Sequence, residues 1–237
     1  MESLNPAVHS LLGKRLTARQ LRQFETYERE LLEWNRRVNL TAITEVRAIQ
    51  SQHFLDSLSC WIAMKDSPGA RVVDVGTGAG FPGLPLKILE PSLRLTLVEA
   101  TEKKVAFCRH LVDRLELQGV QVIHARAEAV GQDPAHREGY DWSVARAVAD
   151  LPVLLEYLLP LTRIGGQALA QKGEDAPSQA QAAAHALSLL GGELSRVIPV
   201  DLPGVVETRY LIVARKVAST PVQFPRRPGI PTKRPLV

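Results

Sequence analysis

Cysteine is nearly absent. Cys60 and Cys108 are the only two in 237 residues, and they form no C-x-x-C pair. That excludes a disulfide framework and favours a reducing compartment. His110 lies two residues after Cys108, but nothing nearby completes a four-ligand set, so no metal site is expected. Aromatic residues make up 5% of the chain, too few for a broad stacking platform along single-stranded nucleic acid. No stretch approaches the roughly 20 apolar residues needed to cross a bilayer. Met1 to Lys14 also lacks the layout of a signal peptide. The expectation is a cytoplasmic protein, not bound to membrane, working as a monomer. Also missing are a Tyr-x-x-x-Lys pair and any evident Ser/His/Asp or Cys/His constellation.

What is present is apolar material for a core, at 45% hydrophobic and 23% charged residues. The net charge is +4 with a pI of about 9.2, compatible with a nucleic-acid partner. Residues 1–66 read as a helical extension. Leu21, Phe24, Tyr27, Leu31 and Trp34 recur at spacings of three and four and predict a helix over 17–36, with Thr17 and Gln20 as its capping box. A second helix is predicted over 46–64. From residue 67 to 219 strands and helices alternate. Strands are expected at 71–75, 94–99, 120–124, 142–146, 166–172, 194–199 and 209–214, and helices at 101–117, 151–161 and 178–190. Such alternation predicts a mostly parallel sheet covered on both faces, and the last two strands, with no helix between them, an antiparallel edge. Residues 220–237 form a basic tail. Five prolines there argue against regular helix, and Arg226, Arg227, Lys233 and Arg234 stand with no acid among them.

The sharpest motif is Asp74-Val75-Gly76-Thr77-Gly78-Ala79-Gly80-Phe81, entered from a β-branched strand and left through a helix near Pro82. Glycines there permit a tight turn and close approach of a ligand to the backbone. Counted from Gly76, the dinucleotide fingerprint fails at Phe81. Counted from Gly78, it is met, but two residues late, so the pattern alone leaves a dinucleotide open. Asp74 discriminates better: an acid there repels a pyrophosphate and suits the ammonium and sulfonium of S-adenosylmethionine. Glu99, 25 residues on at the next strand end, fits both ribose hydroxyls of either nucleoside cofactor. Ala127 and Glu128, after the third strand, border the expected place of the base. The readings are thus a methyltransferase, an NAD-dependent oxidoreductase, or a non-catalytic RNA-binding or assembly protein on the same fold.

The ordered motifs narrow this. Trp34 to Thr41, His53 to Leu58, Asp74 to Leu86, Arg146-Ala147, Lys172-Gly173 and Phe224 to Pro231 together resemble the bacterial 16S ribosomal RNA guanine-N7 methyltransferases, the glucose-inhibited division protein B family. The resemblance runs from about Glu30 to the end. It implies a class I S-adenosylmethionine-dependent methyltransferase fold, with the 16S ribosomal RNA or the small ribosomal subunit as partner. It implies a cofactor site at Gly76, Phe81, Ala127, Glu128 and Arg146, to which the glycine-loop reading adds Asp74, Gly78, Gly80 and Glu99. Glu99 departs from an Asp found in some members, and Ala100 to Lys104 follow the pattern loosely. Arg146 and Lys172, at predicted strand ends, are the candidates to hold the purine or a phosphate. Arg36, Arg37, Arg226, Arg227, Lys233 and Arg234 are the candidate phosphate-binding rim. His53 and Asp56 fit a joint between the extension and the core as well as they fit a substrate contact.

Overall fold

The computed structural model of the chain describes residues 1, 3–146 and 149–236, so Ala147 of the Arg-Ala pair lies outside the described residues. Seven strands form one sheet: β1 (Arg71–Val75), β2 (Arg94–Glu99), β3 (Val120–His124), β4 (Tyr140–Arg146), β5 (Thr162–Lys172), β6 (Gly192–Val200) and β7 (Arg209–Lys216). Their order is β3-β2-β1-β4-β5-β7-β6. The first five run parallel, while β7 lies antiparallel to both β5 and β6. This matches the expected mostly parallel sheet with an antiparallel edge. Chain order reverses between β1 and β4, and the carboxyl ends of those strands flank the crevice where open α/β sheets place their ligands.

The β-branched runs of β1 and β2 are buried on both faces, as strands covered by helices must be. One face carries the N-terminal helices together with Gly83–Leu89 and Glu102–Arg114 in a single apolar cluster that includes Phe24, Tyr27, Phe54, Leu84 and Phe107. The other carries Leu151–Leu158, Ala176–Ala182 and Ala184–Leu190, with Phe224 of the tail packed among them. The helix over Ala18–Asn35 has the anticipated capping box, and its apolar stripe is buried at Phe24, Tyr27 and Leu31.

Four differences bear on the site. A helix at Leu4–Leu12 was not expected. The helical run of residues 46–64 is not uniform, because Ile49–Leu55 winds as a π-helix. Such widened turns are common at functional positions, and this one carries His53 and ends beside Asp56. Ala127 and Glu128 open a helix, Ala127–Gln132, that the sequence reading did not include. The tail, expected to lack helix, has one turn at Ile230–Lys233, which tolerates Pro231 because the first helical positions need no amide hydrogen.

Candidate active site

β1 delivers the chain into the glycine loop, where Gly76, Gly78 and Gly80 take φ values of 68°, 59° and 99°. L side chains rarely adopt that region. The glycines answer different needs. A Cβ on Gly80 would lie 2.5 Å from Leu84 Cδ1 and 2.6 Å from Tyr27 Oη, so this glycine serves packing. A Cβ on Gly78 would meet only Gly76 O, at 4.0 Å, so the space above it is open. Tyr27 locks the loop from outside by donating its hydroxyl to Ala79 O at 2.6 Å.

Asp74 corrects the sequence reading. Its carboxylate is fully buried beneath the loop, where Oδ2 accepts from Thr77 Oγ1 at 2.6 Å and from Gly83 N–H at 2.8 Å. It does not line the cavity. Burial raises its pKa to about 6, against the pull of those two hydrogen bonds. Oδ1 is the one buried carboxylate oxygen without a partner among the described residues.

Above the loop is a cavity of about 360 Å³, lined among others by Gly76, Glu99, Ala127, Glu128 and Arg146. Glu99 ties the cavity to the loop. Oε2 accepts from Gly78 N–H at 3.0 Å and Oε1 from Thr101 N–H at 2.8 Å, so one side chain shapes the loop and presents charge to the cavity. Glu99→Ala should weaken binding of a nucleoside cofactor by about 1.5–3 kcal/mol, the scale for hydrogen bonds to a charged group. Calorimetric titration with S-adenosylhomocysteine measures it, and an unchanged Kd would place the ribose elsewhere.

A second cavity, of about 430 Å³, adjoins the first. His53, Asp56, Arg146, Gln171, Lys172 and Arg209 are among its lining residues. Arg146 borders both. Its guanidinium pairs with Asp56 at 2.8 Å, donates to Gln52 O at 3.2 Å and lies 4.9 Å from the Phe81 ring centre. Phe81 does not line the first cavity. It is stacked between Tyr27, at 5.2 Å, and His53, at 4.6 Å, so it joins the loop to the helical extension. Lys172 is half-buried and donates to Ala149 O at 2.6 Å.

His53 bonds Thr41 Oγ1 through Nε2 at 2.8 Å, and burial, with the nearby Arg146 charge, pulls its pKa down to about 4. The unfolded imidazole titrates near 6.5. As pH falls from about 6.5 to about 4 the unfolded chain takes up the proton first, so stability is lost across that window. His53→Gln removes this loss and should gain on the wild type by on the order of 1–2 kcal/mol between pH 7.5 and pH 5 in urea unfolding. Parallel stability curves would refute it.

Residues 20–203 match the family model described as rRNA small subunit methyltransferase G. The chain belongs to that family. A ribosomal RNA small subunit methyltransferase G of Roseiflexus castenholzii is 54% identical over 225 residues, covering 95% of each chain. One from Dehalococcoides mccartyi is 46% identical over 237 residues, covering 99% of this chain and 100% of its own. Among solved structures, TrmN from Thermus thermophilus superposes with a TM-score of 0.52 at 21% identity, over 71% of this chain and 53% of its own. A 16S rRNA (adenine(1408)-N(1))-methyltransferase from Catenulisporales acidiphilia, solved with SAM, gives 0.51 at 16% identity, over 68% of this chain and 91% of its own. These structural likenesses support the class I methyltransferase fold.

In this member of the rRNA small subunit methyltransferase G family the six rim cations are not equivalent. Arg36 and Arg37 are exposed at the end of Ala18–Asn35, and Arg227, Lys233 and Arg234 are exposed on the tail. Arg226 is not available to a phosphate. It grips Glu156, which is 0% exposed, through Nη2 at 2.6 Å and Nε at 2.9 Å. Tyr27, Gln171 and Arg209 were missed. Tyr27 is indistinguishable in sequence from the other members of its apolar stripe. Gln171, buried beside Asp56, carries no motif. Among the described residues no helix is long and apolar enough to cross a membrane.

Proposed function

We propose that this chain transfers a methyl group from S-adenosylmethionine to N7 of a guanine in 16S ribosomal RNA of the small subunit, acting in the cytoplasm as a single chain. The observation that carries the reading is Arg146, which lines both the cavity at the glycine loop and the cavity that Lys172 lines. The residues present fit the cofactor: the loop leaves open space where a Cβ of Gly78 would stand, and Glu99 presents its carboxylate beside it. Gly76, Glu99, Ala127 and Glu128 hold the cofactor, while Asp74 and Gly80 shape the loop. When bound, the cofactor supplies an electrophilic methyl on a cationic sulfur.

Guanine N7 carries no proton and offers an exposed lone pair, so the chain's task is alignment of the two reactants. Arg146 and Lys172 hold the purine or its phosphate at the mouth of the second cavity. Arg146 is well suited to this because Asp56, Phe81 and backbone carbonyls of the extension already fix its plane. Arg36, Arg37, Arg227, Lys233 and Arg234 contact RNA phosphates. The chemistry has a direct test in single-turnover methyl transfer measured between about pH 6.5 and pH 9. With no proton to remove, the rate constant stays flat. A rate that climbs tenfold per pH unit requires a base and an N–H target, and absence of transfer removes the enzymatic reading.

A further inference from the structure

The tail is not a free arm. From Thr220 onward it lies across the helices Ala127–Gln132 and Leu151–Leu158. Arg137 clamps it by donating to Thr220 O at 2.7 Å and Phe224 O at 2.7 Å, and Gln132 donates to Pro225 O at 2.8 Å. Phe224 is 7% exposed within the core of that face. Arg226 then bonds the buried Glu156 and donates to Arg234 O at 2.7 Å, closing the last turn of the tail on itself.

This strap ends at the cofactor cavity. Gly229 N–H donates to Glu128 Oε1 at 3.0 Å, and Glu128 is 4% exposed. Thr232 is itself a lining residue of the cavity, as are Gly76, Glu99 and Tyr157. The Tyr157 hydroxyl lies 3.3 Å from Thr232 Oγ1. Two segments about a hundred residues apart in sequence therefore make one wall at the side of Ala125, Ala127 and Glu128, where the base of a nucleoside belongs.

We propose that the C-terminal strap is a wall of the cofactor site: Thr232, with Tyr157 behind it, meets the adenine end of S-adenosylmethionine, and Gly229 is a positioning residue that holds Glu128 in place. The inference rests on the cofactor reading above. It gives the tail a role in affinity for the nucleoside, separate from any role in holding RNA. Arg226 anchors that wall rather than a phosphate.

The test is calorimetric titration of the full-length protein with S-adenosylhomocysteine, accompanied by melting curves. Thr232→Trp puts an indole into the cavity and should raise Kd at least tenfold while leaving Tm within about two degrees. Thr232→Ser keeps the hydroxyl and should bind within about twofold of the wild type. Should the indole disturb the fold, Thr232→Leu serves in its place, with an expected threefold or greater loss. The ratio of affinities for S-adenosylhomocysteine and S-inosylhomocysteine supplies a readout that a mere prop would not move, and it should change in Thr232→Leu. Wild-type affinity and an unaltered ratio in folded Thr232→Trp and Thr232→Leu overturn the proposal. A wild-type protein that binds no S-adenosylhomocysteine, as little as Gly78→Val, instead removes the cofactor reading, and the strap's role falls with it.

Discussion

Arg146→Ala should cost the protein both stability and methyl transfer. Asp56, 6% exposed, would lose the guanidinium 2.8 Å away. Stranding one partner of a buried pair costs about 3–5 kcal/mol. Arg209, at 3.9 Å, and the amide of Gln171 remain near Asp56, so the lower end of that range is expected. The same side chain borders both cavities, and loss of alignment between two bound reactants costs on the order of a hundredfold in rate. Arg146→Lys separates the effects. Its ammonium restores a charge to Asp56 but not the planar fork that also reaches Gln52 O and lies over Phe81, so most of the stability should return and most of the rate should not. Denaturant unfolding and single-turnover transfer on the two variants provide the numbers. Equal recovery of rate and stability in Arg146→Lys would mean that the residue is a joint only.

Arg226→Ala is the second large effect, and it acts far from the glycine loop. Glu156 is 0% exposed within an otherwise apolar stretch of helix, and its cationic partner is Arg226. Removing the arginine should cost about 3–5 kcal/mol, which lowers Tm by on the order of 10 °C in a domain of this size. A paired Glu156→Leu, Arg226→Met variant should be far less destabilised, because no buried charge is left alone. If the tail were a free phosphate-binding arm, Arg226→Ala would leave Tm unchanged. It would instead make log Kd for RNA less steep against log salt, by about 0.9 for each phosphate no longer neutralised.

The same contrast separates local from long-range information in the sequence. The strands and most helices follow from β-branched runs and 3.6-residue periodicity, which are local properties. The glycine loop was legible because its backbone conformation needs glycine at fixed positions. The direction of a charge was not. Asp74 looked like a partner for the cofactor's ammonium, but Thr77 and Gly83 turn its carboxylate down beneath the loop. Arg226 looked like its basic neighbours in the tail. The clue to its fate lay 70 residues earlier, in the single acid of Leu151-Pro-Val-Leu-Leu-Glu-Tyr-Leu158, which must find a cation once that helix is buried. His53 and Asp56 fit two roles in the sequence because the π-turn that carries His53 and ends beside Asp56 has no signature distinct from an α-helical run. Thr232 was unreadable as a site residue, since only the folding back of the tail brings it to the cavity.

Mapping the methylated atom decides whether this chain is a guanine-N7 methyltransferase. Small ribosomal subunits prepared from cells lacking this activity are incubated with the protein and labelled S-adenosylmethionine. Their RNA is then treated with borohydride and aniline, which break the chain at N7-methylguanine. Label in 16S RNA and a single new cut at one guanine are expected, both lost in Gly78→Val. Label incorporated without a cut, or a cut that Gly78→Val also produces, would contradict the assignment.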